Sequence, residues 1–217
     1  MSAKTSQSAE FFLPDTLEKR GDLDELRHAA AGCRGCGLYE NATQTIFGEG
    51  SPGGRVMFVG EQPGDQEDRK GHPFVGPAGR ILDRALEEAG IERGDVYVTN
   101  AVKHFKFKRR EGGKRRIHES PSAGEIRACR PWLAAELRLL DPDVVVTLGA
   151  TAGKALLGPS FRVTKERGRL LDLPDQETSD ARVVATIHPS AVLRAEDRDA
   201  MYAGFLDDLK VVAAALR

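Results

Sequence analysis

The sequence predicts an α/β fold: a single domain organised as a three-layer α/β/α sandwich around a central four-stranded parallel sheet. Four short apolar runs have the length and the β-branched residues of buried strands. Helical segments separate these runs along the chain, and strands that alternate with helices form parallel sheets covered on both faces. A length of 217 residues suits one such domain.

The N-terminal part of the chain is predicted to contain a tail and a helix. Residues 1–12 are expected to form a flexible tail, so the domain should span residues 13–217. A helix is predicted at residues 17–31, and Gly32 is expected to end it.

The other elements alternate between strand and helix. The strands are predicted at residues 55–60, 96–100, 143–149 and 182–186. The helices are predicted at residues 77–89, 121–140, 151–157 and 200–216. Gly90 follows the first of these helices as its left-handed C-terminal residue, and Pro121 with Ser122 begins the second.

Composition and charge limit the classes of function. No apolar run approaches the roughly 20 residues that span a bilayer, so we expect no membrane partner. Three cysteines, an odd number, and a polar segment from Met1 to Glu10 without an apolar leader predict a cytoplasmic protein. The net charge of −1 predicts no polyanion partner by itself, and we expect a monomer.

Unusual segments follow all four predicted strands. In parallel sheets, ligands bind beyond the carboxyl ends of the strands, so these segments should meet at one edge. They lie at residues 60–65, at Asn100 with its loop, at residues 148–150 and at residues 187–190. Their convergence predicts a ligand site.

Two nucleotide-binding patterns are rejected. Residues 48–53 match G-x-G-x-x-G but precede a strand, so no helix N-terminus would hold a pyrophosphate. Residues 149–154 resemble a phosphate loop but are one residue short, and Ala155 replaces the hydroxyl that binds magnesium.

A basic inserted loop is predicted at residues 105–119. Phe105 and Phe107 interleave with its cations, which suits backbone contact combined with base stacking. The other interpretation is a solvated charge run or a targeting signal. The seven cations are Lys106, Lys108, Arg109, Arg110, Lys114, Arg115 and Arg116.

The cysteines have the spacing of metal ligands. Cys33 and Cys36 form a C-x-x-C clip, Cys129 lies far downstream, and His104 is the best candidate for a fourth ligand. Zinc and a 4Fe–4S cluster are both chemically open. The alternative is three core thiols beside an unrelated histidine.

Single residues at the predicted edge also have two interpretations each. His188 follows a strand, where its imidazole either faces a ligand or packs against its own loop. Glu61 and Asp65 are either paired acid and base groups or caps on the next helix. Phe74 is either a core residue or a ring that stacks on a ligand.

Five short motifs occur in order between Cys33 and Arg194. They are GEQPG at 60–64, GHPFVG at 71–76, NAVK at 100–103, CRP at 129–131 and HPS at 188–190. Together they resemble the iron–sulfur family 4 enzymes of the uracil-DNA glycosylase superfamily. His104 in place of a cysteine, and the inserted KRRIH at 114–118, resemble the UdgX subgroup of that family.

The resemblance implies a role for each site residue. The ligands of a structural 4Fe–4S cluster would be Cys33, Cys36, His104 and Cys129. The residues in contact with a flipped-out uracil would be Gln62, Asp65, Phe74, Asn100 and His188. The residues in contact with DNA would be Lys114, Arg115, Arg116, Ser190 and Arg194.

The same resemblance implies chemistry at C1′ of the deoxyribose. His188 would stabilise the departing uracil anion, and His118 would bond covalently to the sugar, with Glu61 orienting or deprotonating it. The expected substrate is uracil in single-stranded DNA, where base flipping costs less. Two alternatives stay open: a hydrolytic glycosylase with multiple turnovers, and a non-catalytic iron–sulfur protein that binds nucleic acid.

Overall fold

A mixed sheet forms the centre of the fold in the computed structural model, which describes residues 8–15, 22–110, 113, 115–174 and 179–217. Within these residues the strands are β1 (Glu49–Gly50), β2 (Val56–Gly60), β3 (Val96–Asn100), β4 (Phe107–Arg109), β5 (Arg116–His118), β6 (Val144–Leu148), β7 (Leu170–Asp172) and β8 (Arg182–Thr186). The main sheet has the order β1-β3-β2-β6-β8-β7, and β4 pairs separately with β5.

The predicted parallel sheet is confirmed. Strands β3, β2, β6 and β8 run parallel, with Phe58 opposite both Val98 and Val146. The edge strands β1 and β7 are antiparallel to their neighbours and were not predicted. They contain two and three residues, which is too short for a pattern of alternation to identify them.

Helices cover both faces of the sheet, as the sequence predicted. Within the described residues they are α1 (Leu23–Ala31), α2 (Asp65–Lys70), α3 (Pro77–Ala89), α4 (Ala123–Leu140), α5 (Ala150–Leu157), α6 (Val163–Glu166), α7 (Pro189–Arg194) and α8 (Arg198–Ala215). One apolar core lies beneath α1, α4 and α5, and a second lies beneath α3, α7 and α8. Across the described part of the chain, no helix is both long and apolar enough to cross a membrane.

Strand β2 shows why the predicted strands are continuously apolar. Its alternate side chains point to opposite faces, so Met57 and Val59 enter one core while Val56 and Phe58 enter the other. All four side chains are fully buried. A strand covered by helices on both faces therefore lacks the alternation of apolar and polar residues that marks a half-exposed strand.

The N-terminal segment differs from its prediction. Residues 9–12 form a 3₁₀ turn that packs against α4, and Ala9 is buried. A Cβ added to Gly35 would lie 2.8 Å from the backbone nitrogen of Ala9, so the turn sits directly on the C-x-x-C clip. The predicted tail therefore extends too far. Residues 1–7, and the start of the helix predicted at residue 17, lie outside the described residues.

The predicted basic loop contains regular structure. Strands β4 and β5 form an antiparallel ribbon in which Phe107 lies opposite His118 and Arg109 lies opposite Arg116. Successive side chains of a strand alternate between faces, so Arg116 and His118 share one face of β5. The ribbon therefore carries His118 to the main sheet as part of an ordered element.

Candidate active site

A cavity of about 600 Å³ opens beyond the carboxyl ends of β2, β3, β6 and β8. Strand β2 has β3 on one side and β6 on the other, so the cavity lies where the order of the strands reverses. A cavity of about 750 Å³ beside α3 is larger but contains Phe74 alone of the predicted site residues. Nine predicted residues line the first cavity: Glu61, Gln62, Asp65, Phe74, Asn100, His118, His188, Ser190 and Arg194.

Phe74 and Asn100 meet over Gly60, the last residue of β2. A Cβ added to Gly60 would lie 2.3 Å from Oδ1 of Asn100 and 2.8 Å from Cζ of Phe74. Phe74 has a left-handed backbone, with φ of 55°, which L-residues rarely adopt. Glu67 supports this conformation because its Oε1 accepts a hydrogen bond of 2.8 Å from the backbone nitrogen of Gly76. The local structure thus holds a ring and an amide against one wall.

His188 presents a neutral imidazole to the cavity. The backbone N–H of Ser190 donates to Nδ1 over 3.2 Å, so a neutral ring carries its proton on Nε2. Burial, with smaller electrostatic effects from Arg194 and His118, lowers the pKa of His188 to about 4. Near pH 7 the ring is therefore neutral, with an N–H available to a ligand.

His118 lies between a carboxylate and an amide. Its Nε2 is 3.4 Å from Oε1 of Glu61 and 2.9 Å from Nε2 of Gln62. Contacts with the backbone fix the Gln62 amide: Oε1 accepts from the nitrogen of Lys106, while Nε2 donates to the carbonyls of Lys106 and Glu119. The two hydrogens of the Gln62 amide nitrogen are shared among three acceptors: these two carbonyls and Nε2 of His118. Because that nitrogen can only donate, its contact favours a bare Nε2 on His118, whereas Glu61 stabilises positive charge on the same ring.

Arg116 anchors the ribbon to α2. Its Nε binds Asp65, and its Nη1 lies 2.5 Å from Oδ2 of Asp68, whose side chain is completely buried. The guanidinium also stacks near the rings of Phe105 and Phe107, 5.3 and 5.0 Å from their centroids. The Arg116 side chain is only 6% exposed, so this conformation offers little of it to DNA, and its role as a DNA contact stays a prediction.

Other predicted contacts also differ in their accessibility. The carboxylate of Asp65 binds both Arg116 and Arg69, and these bonds outweigh the effect of desolvation and lower its pKa. An N–H of uracil that donated to this carboxylate would have to compete with two arginines. Arg115 is exposed and lines a neighbouring groove of about 630 Å³. Lys114 lies outside the described residues.

The three cysteines lie in one buried apolar cluster, none in a disulfide. Sγ of Cys33 accepts from Nε1 of Trp132 over 3.2 Å, and Sγ of Cys129 accepts from the nitrogen of Lys103 over 3.3 Å. Burial raises the pKa of the Cys129 thiol to about 12 although Lys103 opposes this shift. Such a thiol stays protonated near pH 7 unless a bound cation stabilises the thiolate, and the N–H donors suit sulfur that carries charge.

His104 lies on the loop after β3 and is 5% exposed. Burial lowers its pKa to about 4, so the imidazole is neutral and able to ligate a metal, and its Nε2 is 2.9 Å from Oγ1 of Thr45. Within the described ranges, no three His, Cys, Asp or Glu side chains are placed to hold a single metal ion.

Three residues that contact the predicted site residues or their loops were missed from the sequence. Asp68 anchors Arg116, Glu67 supports the loop of Phe74, and Thr151 donates from its hydroxyl to Oε2 of Glu61. A signal existed for Asp68, because a spacing of three residues places it on the same helix face as Asp65. In the sequence, Thr151 begins the helix predicted at residues 151–157 and lies within the rejected phosphate-loop pattern, and neither feature indicates a contact with Glu61.

The chain is similar in sequence to several known proteins. The family model described as Uracil DNA glycosylase superfamily matches residues 47–210. A Type-4 uracil-DNA glycosylase of Thermotoga maritima is 40% identical over 163 residues, which cover 75% of this chain and 78% of the relative. A Type-4 uracil-DNA glycosylase of Sulfurisphaera tokodaii is 35% identical over 176 residues, 79% of this chain and 76% of the relative. A Type-5 uracil-DNA glycosylase of Thermus thermophilus is 36% identical over 127 residues, 52% of this chain and 53% of the relative.

Proposed function

The chain belongs to the uracil-DNA glycosylase superfamily, and we propose that it excises uracil from DNA and then captures the abasic sugar on His118. The observation that carries this proposal is the position of the His118 imidazole. Its Nε2 lies 3.4 Å from Oε1 of Glu61, inside the cavity that Phe74, Asn100 and His188 also line. Hydrolysis requires only a water at this place, whereas an imidazole there is itself a nucleophile.

Phe74 and Asn100 suit a planar base with a polar edge. The Phe74 ring offers a stacking face, and the Asn100 amide both donates and accepts hydrogen bonds. Uracil presents a carbonyl beside an N–H, and one amide can pair with both groups. Cytosine presents an amine beside a bare nitrogen in the same places. Asn100→Asp can only accept when ionised, so it should weaken uracil excision, and cytosine becomes the base to test as a new substrate.

His188 suits the departure of the base. Breaking the bond between C1′ and N1 sends its electron pair to uracil, and the negative charge is shared with O2. The Nε2–H of a neutral His188 can donate to that oxygen, because Ser190 occupies Nδ1. A fixed donor aimed at developing charge lowers the barrier without having to reorganise.

His118 and Glu61 suit the capture of the sugar. Loss of uracil leaves oxocarbenium character at C1′, and the lone pair of a bare Nε2 forms the new bond. The resulting imidazolium loses its Nδ1 proton to solvent, and the neutral alkylated ring is a poor leaving group. Glu61 stabilises the positive charge in both stages and accepts the proton of any ring that begins protonated on Nε2.

The UdgX-type assignment is the finer part of this proposal. Its support is the pair of departures from the iron–sulfur family, His104 and the inserted segment at 114–118, together with the ordered ribbon that carries His118. A preference for single-stranded DNA follows from the lower cost of flipping an unpaired base and from exposed cations such as Arg115. The monomeric state stays a prediction.

A 4Fe–4S cluster held by Cys33, Cys36, Cys129 and His104 is part of the same proposal. Three buried thiols with N–H donors at sulfur, and a neutral buried imidazole, suit iron–sulfur ligation. Bound there, the cluster would tie the N-terminal clip to α4 and to the loop after β3. Anaerobically purified protein should contain iron and sulfide and absorb broadly at about 400 nm. Stoichiometric zinc without iron would contradict the assignment.

The rival function is uracil excision by hydrolysis with multiple turnovers. His118 is half exposed, so a water has access to the same region of the cavity. In that case His118 would bind substrate without reacting, and free abasic DNA would be the product.

Denaturing electrophoresis with uracil-containing single-stranded DNA tests the proposal. The wild type should yield protein shifted by the mass of the DNA, and mass spectrometry should place the adduct on His118. His118→Gly should form no adduct and leave space for water, which restores hydrolytic release. His188→Ala should slow uracil release and adduct formation together. Cross-linking that persists in His118→Gly would rule out this mechanism.

A further inference from the structure

Thr151 holds one oxygen of the Glu61 carboxylate while the other oxygen faces His118. Its hydroxyl donates to Oε2 of Glu61, and Oε1 of the same carboxylate lies 3.4 Å from Nε2 of His118. We propose that Thr151 is a positioning residue of the active site, which acts on the reaction only by fixing the orientation of Glu61. This inference rests on the proposed glycosylase function.

The sheet places these two residues together. Glu61 directly follows β2, and Thr151 is the second residue of α5, which begins after β6. Strands β2 and β6 are adjacent and parallel, so their carboxyl ends lie side by side. The turn between β6 and α5 contains Gly149, with φ of 91°, where an added Cβ would lie 3.1 Å from Cβ of His188. Thr151 is thus attached to the rigid wall of the cavity.

Glu61 needs such a partner because its own torsions do not fix it. The last torsion of a glutamate is broad, so the rotamer alone does not decide which oxygen faces His118. The Glu61 side chain is 20% exposed, so bulk water is excluded from most of its surface. A hydrogen bond from a neutral hydroxyl to a charged oxygen is short and strong in such a place. The Thr151 bond therefore selects one orientation of the carboxylate.

A merely structural role for Thr151 predicts different behaviour. If the hydroxyl only stabilised α5, its loss would have the same effect whatever residue occupied position 61. If it acts through Glu61, the two residues form one unit, and their substitutions are not additive. The quantity to measure is therefore how far the effect of substituting Thr151 depends on the residue at position 61.

Thr151→Val removes the donor and keeps the shape of the side chain. In single turnovers on uracil-containing DNA it should slow uracil release and adduct formation by roughly tenfold or more, the effect of losing one charged hydrogen bond. Thr151→Ser should restore both rates. In a Glu61→Gln background, Thr151→Val should change the rates less than about twofold, because the carboxylate it positions is gone. Equal losses in both backgrounds, or no rescue by serine, would overturn the inference.

Thr147 supplies a matched control. It is a buried threonine of β6 whose hydroxyl has no partner within the described residues, so Thr147→Val should leave both rates unchanged. A second readout does not depend on activity: the ring ¹⁵N resonances of His118 should shift in Thr151→Val and return in Thr151→Ser. Unchanged resonances would overturn the inference even in a protein that releases no uracil. A wild type without uracil release or adduct would instead contradict the proposed function.

Discussion

Arg116 and Asp68 form an ion pair that joins the basic ribbon to the body of the domain. Nη1 of the arginine lies 2.5 Å from Oδ2 of a carboxylate that is completely buried. Asp68 also accepts from the backbone nitrogen of Thr43 over 2.9 Å, so three segments distant in sequence meet at one side chain. His118 is two residues beyond Arg116 on the same strand face. The pair therefore fixes the strand that carries the proposed nucleophile.

Replacement of Arg115 by alanine should change DNA binding, whereas replacement of Arg116 should change stability. Arg115→Ala should flatten the slope of log K against log salt by about one, because an exposed cation displaces counterions from DNA. Arg116→Ala should keep the slope but lower the free energy of unfolding by about 3 kcal/mol, because Asp68 stays buried without its partner. The salt dependence is measured as DNA affinity, by fluorescence, across a series of salt concentrations. The stability is measured by urea unfolding. Equal slopes and equal stabilities in the two variants would contradict this separation.

Stability should fall in acid partly because of His188. Its pKa is about 4 in the folded protein, below the ordinary value of 6.5, so the unfolded state binds more protons between these values. The stabilisation that neutral His188 contributes to the folded state is fully present above pH 6.5. It is lost as the pH falls and is absent below about pH 4. A shift of this size corresponds to at most about 3 kcal/mol, and partial exposure of the ring reduces it.

Urea unfolding at pH 7, 5.5 and 4.5 can isolate that contribution. His188→Asn should lose less stability than the wild type between pH 7 and pH 4.5, because asparagine does not titrate. Other acid-sensitive groups, including His104, are common to both proteins and cancel in the comparison. Parallel curves for the two proteins would show that His188 is not neutral and buried in solution.

Gly60→Ala should damage base binding more than folding. The added methyl would lie 2.3 Å from Oδ1 of Asn100 and 2.8 Å from Cζ of Phe74, and these side-chain atoms can move away at modest cost. Uracil release should slow at least tenfold, while the midpoint of thermal unfolding should change by only a few degrees. Gly94→Ala is the matched control, since an added Cβ there meets nothing within 4 Å. Normal activity in Gly60→Ala would place the base elsewhere.

Lys103 and Glu136 should stabilise the fold only when both are present. Nζ of Lys103 lies 2.5 Å from Oε2 of Glu136, and both side chains are fully buried. Lys103→Met should destabilise the protein by about 3–5 kcal/mol, because it leaves a carboxylate buried without a counter-ion. Lys103→Met with Glu136→Gln should regain much of this loss, since glutamine is neutral and can still accept from Tyr97 and Thr99. Equal destabilisation in both variants would show that charge is not the cause.

Sequence patterns determined the layers and the location of the site. Runs such as residues 144–148 are mostly apolar because both faces of the sheet are covered, and that pattern is local. The carboxyl ends of parallel strands share one edge, so Glu61, Asn100 and His188 could be assigned to one cavity before any distance was known.

Tertiary structure alone decided what each side chain at that edge contacts. Adjacent arginines at 115 and 116 carry the same charge, yet one is exposed and the other bridges two aspartates. The partnership of Thr151 with Glu61 joins residues 90 positions apart, and the turn over the cysteine clip depends on how the N-terminal segment packs against α4. Local patterns specify strands and helices because they depend on neighbours in sequence. Contacts between distant side chains depend on strand register and packing, which the chain reaches only when it folds.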